Sequence, residues 1–197
     1  MFVQMLEGRT TDAAGLARQG ERWQTEVRPS AVGFLGATSG VTEDEQAITI
    51  VRFESEDAAR ANSDRPEQGA WWAETEKYYE GDVRFTESSD VTELMGGGSD
   101  AAGFVQVMKV AGVDRALVER LDGSFEQLAA LRPDLIGGLR VWTGPDRYTE
   151  AIYFTSEADA RAGEQVEMPG ELQAALADFE EIMARTEFLD LRDPQLH

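Results

Sequence analysis

Phe53-Glu54-Ser55-Glu56-Asp57-Ala58-Ala59-Arg60-Ala61 returns 101 residues later as Phe154-Thr155-Ser156-Glu157-Ala158-Asp159-Ala160-Arg161-Ala162, with six of nine positions identical. Other echoes fall around it in the same order. Phe2-Val3-Gln4 returns as Phe104-Val105-Gln106 and Arg28-Pro29 as Arg132-Pro133; Val32-Gly33 answers to Ile136-Gly137, and Phe85 to Phe188. The offsets run from 101 to 104, so only loops differ in length. Self-similarity at one fixed period marks a duplicated unit. The expected division is 1–95 and 103–197, joined by a glycine-rich, flexible linker at 96–102 that contains Gly96-Gly97-Gly98.

Within the first repeat, Phe2 to Glu7 reads as a strand. Ala13, Leu16, Ala17, Gly20, Trp23 and Val27 keep helical spacing until Pro29 ends the helix. Ala31 to Ala37 reads as a second strand, with a polar turn at Ser39-Gly40. Gln46 to Phe53 alternates as a third. Ser55 is placed to cap a helix whose first turn carries Glu56 and Asp57. Pro66 and Gly69 interrupt that helix, it resumes through Trp71, Trp72, Tyr78 and Tyr79, and Asp82 to Glu87 is a fourth strand. The second repeat follows the same plan: a helix from Asp114 to Leu131, strands Leu135–Thr143 and Arg147–Phe154, and a helix starting at Ser156 that breaks at Pro169-Gly170. Its last helical segment carries a Leu172-Leu176-Phe179-Met183 stripe before a strand at Thr186–Leu191. The order β-α-β-β-α-β is the ferredoxin-like unit. The expected fold is therefore α+β, with two tandem ferredoxin-like repeats. A four-stranded antiparallel sheet covered on one face leaves the other bare, and two copies can cover each other by closing a pseudo-dimeric α/β barrel within one chain.

Composition narrows the function classes. The net charge is −20, with 38 acids against 18 bases, and only Lys77 and Lys109 among the bases are lysines. Such a field repels phosphate backbones and anionic lipid, so neither nucleic acid nor a membrane is an expected partner. No stretch approaches the roughly 20 apolar residues of a membrane helix, and no basic leader precedes Phe2. The chain reads as soluble and cytoplasmic. Cysteine is absent and His197 is the sole histidine, which removes thiolate zinc sites, cysteine nucleophiles and serine–histidine triads. Gly96-Gly97-Gly98 lacks the following Lys-Ser/Thr of a phosphate loop. Neither metal nor organic cofactor is expected.

Element order, the break in each second helix and the tandem arrangement together resemble the dimeric α/β-barrel superfamily. That superfamily includes antibiotic-biosynthesis monooxygenases, haem-degrading monooxygenases and stress-responsive barrel proteins. The resemblance implies a pocket between one sheet face and the two helices of a half, lined in part by a tryptophan on the second helix. Trp71 and Trp72 stand there, and Tyr78 and Tyr79 continue the aromatic run. Cofactor-independent oxygenases of the superfamily place an asparagine ahead of that tryptophan, which points to Asn62 with Arg65 beside it; the nine residues from Asn62 to Trp71 exceed the family spacing. Haem-degrading relatives ligate iron through a histidine on this helix, where the present chain has Glu74, Glu76 and Glu80. His197 is expected to fray with the C-terminus.

Each candidate has a plainer reading. Trp71 and Trp72 can fill core, the tyrosines can pack at a rim, Asn62 can end a helix, and Arg65 can be a surface charge. Two functions remain. One is a monooxygenase-like enzyme acting without a cofactor on a small aromatic molecule, using Arg65, Trp71, Trp72 and Tyr78, with Gln4 reaching in from the first strand. The other is a non-catalytic apolar-ligand-binding or stress-response barrel protein. Self-association beyond the single chain is left open. Because Trp71 faces Ala174 or Ala175 in the second repeat, any ligand site is expected in the first half only.

Overall fold

The computed structural model describes residues 1–123, 125–167, 170, 182–184 and 186–197; of 125 and 126 it describes the backbone. The chain divides into two compact units, Met1–Val91 with Asp193–His197, and Thr92–Arg192.

In the first unit β1 (Phe2–Arg9) is central, pairing antiparallel with β3 (Gln46–Phe53) and β4 (Glu80–Ser88), while β2 (Phe34–Val41) lies beyond β3. Helix α1 (Ala13–Arg22) follows β1, with Asp12 capping it by accepting from the Gly15 amide at 2.7 Å. It runs on through a π-turn (Trp23–Val27) and a 3-10 turn (Arg28–Ser30) that holds Pro29. Helix α2 (Glu56–Ser63) and helix α3 (Pro66–Thr75) follow β3, broken at Pro66 as the sequence predicts, whereas Gly69 lies inside α3.

β2 begins three residues later than expected, because the 3-10 turn and a left-handed Gly33 (φ +70°) use up Arg28 to Gly33. Ser39-Gly40 is consequently strand. The reversal sits at Thr42–Gln46, with Glu45 at φ +69°. β2 is bulged between Phe34 and Gly36, and the same bulge lies between Leu135 and Gly137. The structural counterpart of Gly137 is therefore Gly36, not Gly33.

In the second unit β6 (Phe104–Ala111) pairs with β8 (Arg147–Phe154) and β9 (Glu187–Leu191), and β7 (Leu135–Gly144) pairs with β8. The single helix expected over 114–131 is two, α4 (Arg115–Asp122) and α5 (Phe125–Leu131), parted near Gly123. Helix α6 (Glu157–Gly163) again follows a serine. The break at Pro169 and the stripe at Leu172, Leu176 and Phe179 lie outside the described residues, as do Ala174 and Ala175.

The quoted repeat now has physical reasons at each shared position. Phe53 and Phe154 end their strands facing Phe2 and Phe104 across the sheet, and all four are buried. Ser55 and Ser156 accept from the Ala58 and Asp159 amides at 3.2 and 3.1 Å, a cap contributing about 1 kcal/mol. Ala59 and Ala160 are the fully buried contacts of each helix with its sheet, where any larger side chain would push the two apart. Arg60 and Arg161 reach the last strand of each repeat, as described below.

The repeat boundaries differ from the expected 1–95 and 103–197. β5 (Val91–Leu94) joins the second sheet, whose strand order is β5-β7-β8-β6-β9. β10 (Gln195–Leu196) joins the first, in the order β10-β2-β3-β1-β4. The 96–102 segment is a hydrogen-bonded turn rather than a free tether. Met95, Gly96 and Gly97 have φ of +51°, +88° and +90°, and Gly97 O accepts from Gly138 N at 3.0 Å. A Cβ at Gly137 would overlap that same carbonyl oxygen, so glycine is required where turn and strand meet. Among the described residues no helix is long and apolar enough to cross a membrane.

Candidate functional site

The first unit holds a cavity of about 1070 Å³ between its sheet and its helices. Trp23, Phe34, Trp71, Trp72, Tyr79 and Phe85 form much of its wall. They are held by ring-to-ring contacts. Trp23 meets Phe34 at 4.9 Å and Trp71 at 6.5 Å between centroids, and Trp72 meets Tyr79 at 6.1 Å and Phe85 at 5.3 Å. Tilted and edge-on pairs at these separations are favourable beyond their burial.

Five of the seven residues singled out from the sequence line this space: Gln4, Asn62, Trp71, Trp72 and Tyr79. Trp71 is half-buried, and its indole N–H donates to Gln19 O at 2.9 Å, so its nitrogen serves the fold while its ring faces the cavity. Asn62 is 5% exposed. Its Oδ1 accepts from Arg65 at 2.8 Å and its Nδ2 donates to Gln68 Oε1 at 3.4 Å, which makes it a brace at the end of α2. The Tyr79 hydroxyl hydrogen-bonds with Thr49, and burial pushes its pKa up, so it stays a neutral phenol at neutral pH.

Arg65 and Tyr78 are placed elsewhere. Arg65 turns to Ser30 Oγ, to Val27 O and to Asn62, tying α2 to the turn after α1. The Tyr78 ring lies against Gly15, and its carbonyl accepts from Thr10 Oγ1. His197 does not fray. Its backbone N and O bond to Ala37 O and N at 3.0 and 2.8 Å, extending the pairing of β10 with β2, and the residue lines the cavity.

Sequence reasoning missed a polar triad on the cavity lining. Gln4 Nε2 donates to Glu87 Oε1 at 2.8 Å, and Arg60 donates to both Glu87 oxygens at 2.7 and 2.6 Å. The second unit repeats it as Gln106, Asp190 and Arg161. The signal was in the echoes themselves, since Gln4/Gln106 and Arg60/Arg161 are both repeated. The Arg60 hydrogen bonds hold the Glu87 carboxyl below the usual range. Its contribution to stability is thus present at neutral pH and lost as pH falls through its folded pKa. In Arg60→Ala the Glu87 pKa, followed by carboxyl NMR, should climb back toward the ordinary value of about 4.3; an unmoved titration would show that Arg60 is not its cause.

The two units differ on the sheet floor. In the first, Ser39 pairs with Thr49 and Val41 with Ala47, and all four line the cavity. At the same register in the second stand Arg140 with Glu150 and Trp142 with Tyr148, all 2–3% exposed. Trp142 and Tyr148 pack on Val113, Val118 and Ile182, and Arg140 bonds Asp122 on α4 at 2.7 Å. Small side chains leave space in one unit, and large ones occupy it in the other. Among the described residues no group of three or more His, Asp or Glu is placed to hold a metal ion.

No protein-family model and no curated protein matches the chain. Solved structures do. A proposed monooxygenase of Lactobacillus acidophilus NCFM matches with a TM-score of 0.72 at 11% identity, covering 100% of this chain and 98% of that one. A proposed monooxygenase of Fusobacterium nucleatum subsp. nucleatum ATCC 25586 matches at 0.76 and 8% identity, over 100% and 93% of the two chains. An anthrone oxidase-like protein matches at 0.67 and 11%, over 100% and 92%. Identities this low show a shared fold alone. The fold that the chain shares with these proteins over its whole length is the pair of ferredoxin-like α+β units described above.

Proposed function

We propose that the first unit binds a planar, electron-rich aromatic molecule in this cavity and promotes its reaction with dioxygen. The observation that carries the reading is the aromatic-walled cavity, large enough for a polycyclic guest and present where the second unit has buried Arg140, Glu150, Trp142 and Tyr148. Flat apolar walls with a few polar groups suit such a guest. The monooxygenase-like and anthrone oxidase-like neighbours support the reaction class. In the reaction, an activated CH₂ loses a proton and the resulting anion reduces dioxygen. One oxygen atom enters the product as C=O and the other leaves as water. The protein's part is to enclose the substrate, exclude water and stabilise the anion.

The test is oxygen uptake with anthrone near pH 6.5, where its spontaneous oxidation is slow. One O₂ should disappear per anthrone, and one atom of ¹⁸O should appear in the anthraquinone. Val41→Trp gives the first unit the side chain that the second carries at Trp142, and should slow uptake by about ten-fold or more as the cavity fills. Uptake by the parent no faster than by heat-denatured protein would overturn the reading.

Binding without turnover is the second reading, and two groups favour it. Glu87 is held ionised by Arg60 and so is a weak base, and Tyr79 is held neutral. Tight aromatic binding without oxygen uptake would establish it.

A further inference from the structure

The cavity floor is a ladder of facing pairs. Across β1 and β4, Leu6 stands opposite Phe85 and Gln4 opposite Glu87. Partners in an antiparallel ladder share a face of the sheet, and so do residues two apart in one strand. The Phe85 ring meets Trp72 of α3 at 5.3 Å, which puts this shared face on the helix side. Gln4, Leu6, Trp72, Phe85 and Glu87 all line the cavity. Arg60, also on the lining, comes down to Glu87 from α2.

Three donors are seated on the Glu87 carboxylate. Gln4 Nε2 and Arg60 Nη1 take Oε1, and Arg60 Nη2 takes Oε2. An ionised carboxylate offers about four acceptor sites, so one remains on Oε2. The side chain is 32% exposed and so is not sealed by its partners. The second unit makes the same tie with a shorter acid, Asp190, held by Gln106 and Arg161. An aspartate is thus enough to join helix to strand. The first unit carries one methylene more, on the wall of a cavity.

We propose that Glu87 Oε2 is the cavity's acceptor for a hydroxyl on the rim of the bound aromatic molecule, with Arg60 and Gln4 holding the carboxylate in place. The inference rests on the reading of the cavity as a binding site and narrows its ligands to phenols. A hydrogen bond from a hydroxyl to a charged carboxylate is short and roughly twice as strong as a neutral one. Arg60 keeps Glu87 a weak base, so the proton stays on the ligand. A hydrocarbon of the same shape covers that oxygen and offers it no donor. Sites built to hydrogen-bond a ligand discriminate strongly against analogues that lack the group.

Fluorene, 9-fluorenone and 2-hydroxyfluorene test this, because they share one ring system and present no polar group, an acceptor and a donor. Equilibrium dialysis gives the three dissociation constants for the parent protein, Glu87→Gln, Glu87→Asp and Asp190→Asn. The parent should prefer 2-hydroxyfluorene to fluorene by about ten-fold or more, with no comparable gain for fluorenone. Glu87→Gln should remove most of that preference and leave fluorene binding unchanged. Glu87→Asp keeps a carboxylate for Arg60, as Asp190 does for Arg161, so its melting temperature should match the parent's. Its carboxylate stands one methylene back from the ligand, and the preference should fall there too. Asp190→Asn weakens the matching tie in the second unit and should leave the preference untouched. A preference that survives both Glu87 substitutions, falls as far in Asp190→Asn, or goes to fluorenone instead would overturn the role of Glu87 and leave the binding reading standing. A parent protein that binds none of the three would overturn both.

Discussion

Replacing Arg140 with methionine should destabilise the second unit by about 3–5 kcal/mol, the loss expected when one partner of a buried ion pair is removed. Arg140 is 2% exposed and Glu150, its neighbour across the β7–β8 ladder, 3%. The guanidinium also holds Asp122 and lies over the Tyr148 ring at 5.0 Å. Without it Glu150 is a carboxylate in an apolar layer with no cation to meet. Burial already pushes the Glu150 carboxyl up. A raised folded pKa means the unfolded chain releases its proton first, so stability is lost as pH rises. The Arg140→Met penalty should therefore be larger at pH 8 than at pH 5. Arg140→Met with Glu150→Leu removes both charges and should return most of the loss, because apolar replacements of buried pairs are often neutral or better. Hydrogen exchange of the β8 amides, read beside urea unfolding, assigns the effect to this unit. A single-variant penalty under about 1 kcal/mol would mean that the pair is as well hydrated as a surface one.

The duplication was legible because repeated residues do repeated jobs. Ser55 and Ser156 cap, Ala59 and Ala160 admit a helix to the sheet, and Arg60 and Arg161 tie helix to strand. These are local roles with narrow residue requirements, so they survive at fixed spacing. The exchanged end strands were not legible. Val91–Leu94 and Gln195–Leu196 are too short to show alternation, and which sheet accepts them is a tertiary matter. The same ambiguity misplaced His197, whose order comes from Ala37, far away in sequence.

At the site, the aromatic run on the second helix was visible, but the part that Trp23 plays in the wall was not. Trp23 read as an ordinary member of an apolar helical face, and nothing in a single sequence announces a π-turn at that point. The asymmetry between the halves was assigned to the helix alone. The sheet carries it as well, through Ser39, Val41, Ala47 and Thr49 against Arg140, Trp142, Tyr148 and Glu150. Strand alternation shows which residues share a face but not whether the layer above them is filled.

Trp71→Ala should weaken aromatic binding far more than it weakens the fold. The ring stands between two roles. On one side it packs edge-on against Trp23 and against Trp72 at 6.2 Å, and its nitrogen serves Gln19 O. On the other it faces open cavity. Truncating a tryptophan enclosed on all sides costs about 3–5 kcal/mol, because a closed void remains. Here the removed volume merges with space that already exists, and the Gln19 carbonyl can turn to water. The expected stability loss is about 1–2 kcal/mol, within the range of one lost hydrogen bond plus partial ring burial. Binding has no such compensation. The ring is a large flat contact for the guest, and losing it should raise the fluorene dissociation constant roughly 30-fold, equivalent to about 2 kcal/mol. Trp71→Phe keeps a ring and drops the donor, so it should retain most of the affinity. A fall in stability of about 3–5 kcal/mol in Trp71→Ala, in a parent protein that binds neither fluorene nor fluorenone, would instead make Trp71 part of the core and the cavity a flaw in its packing.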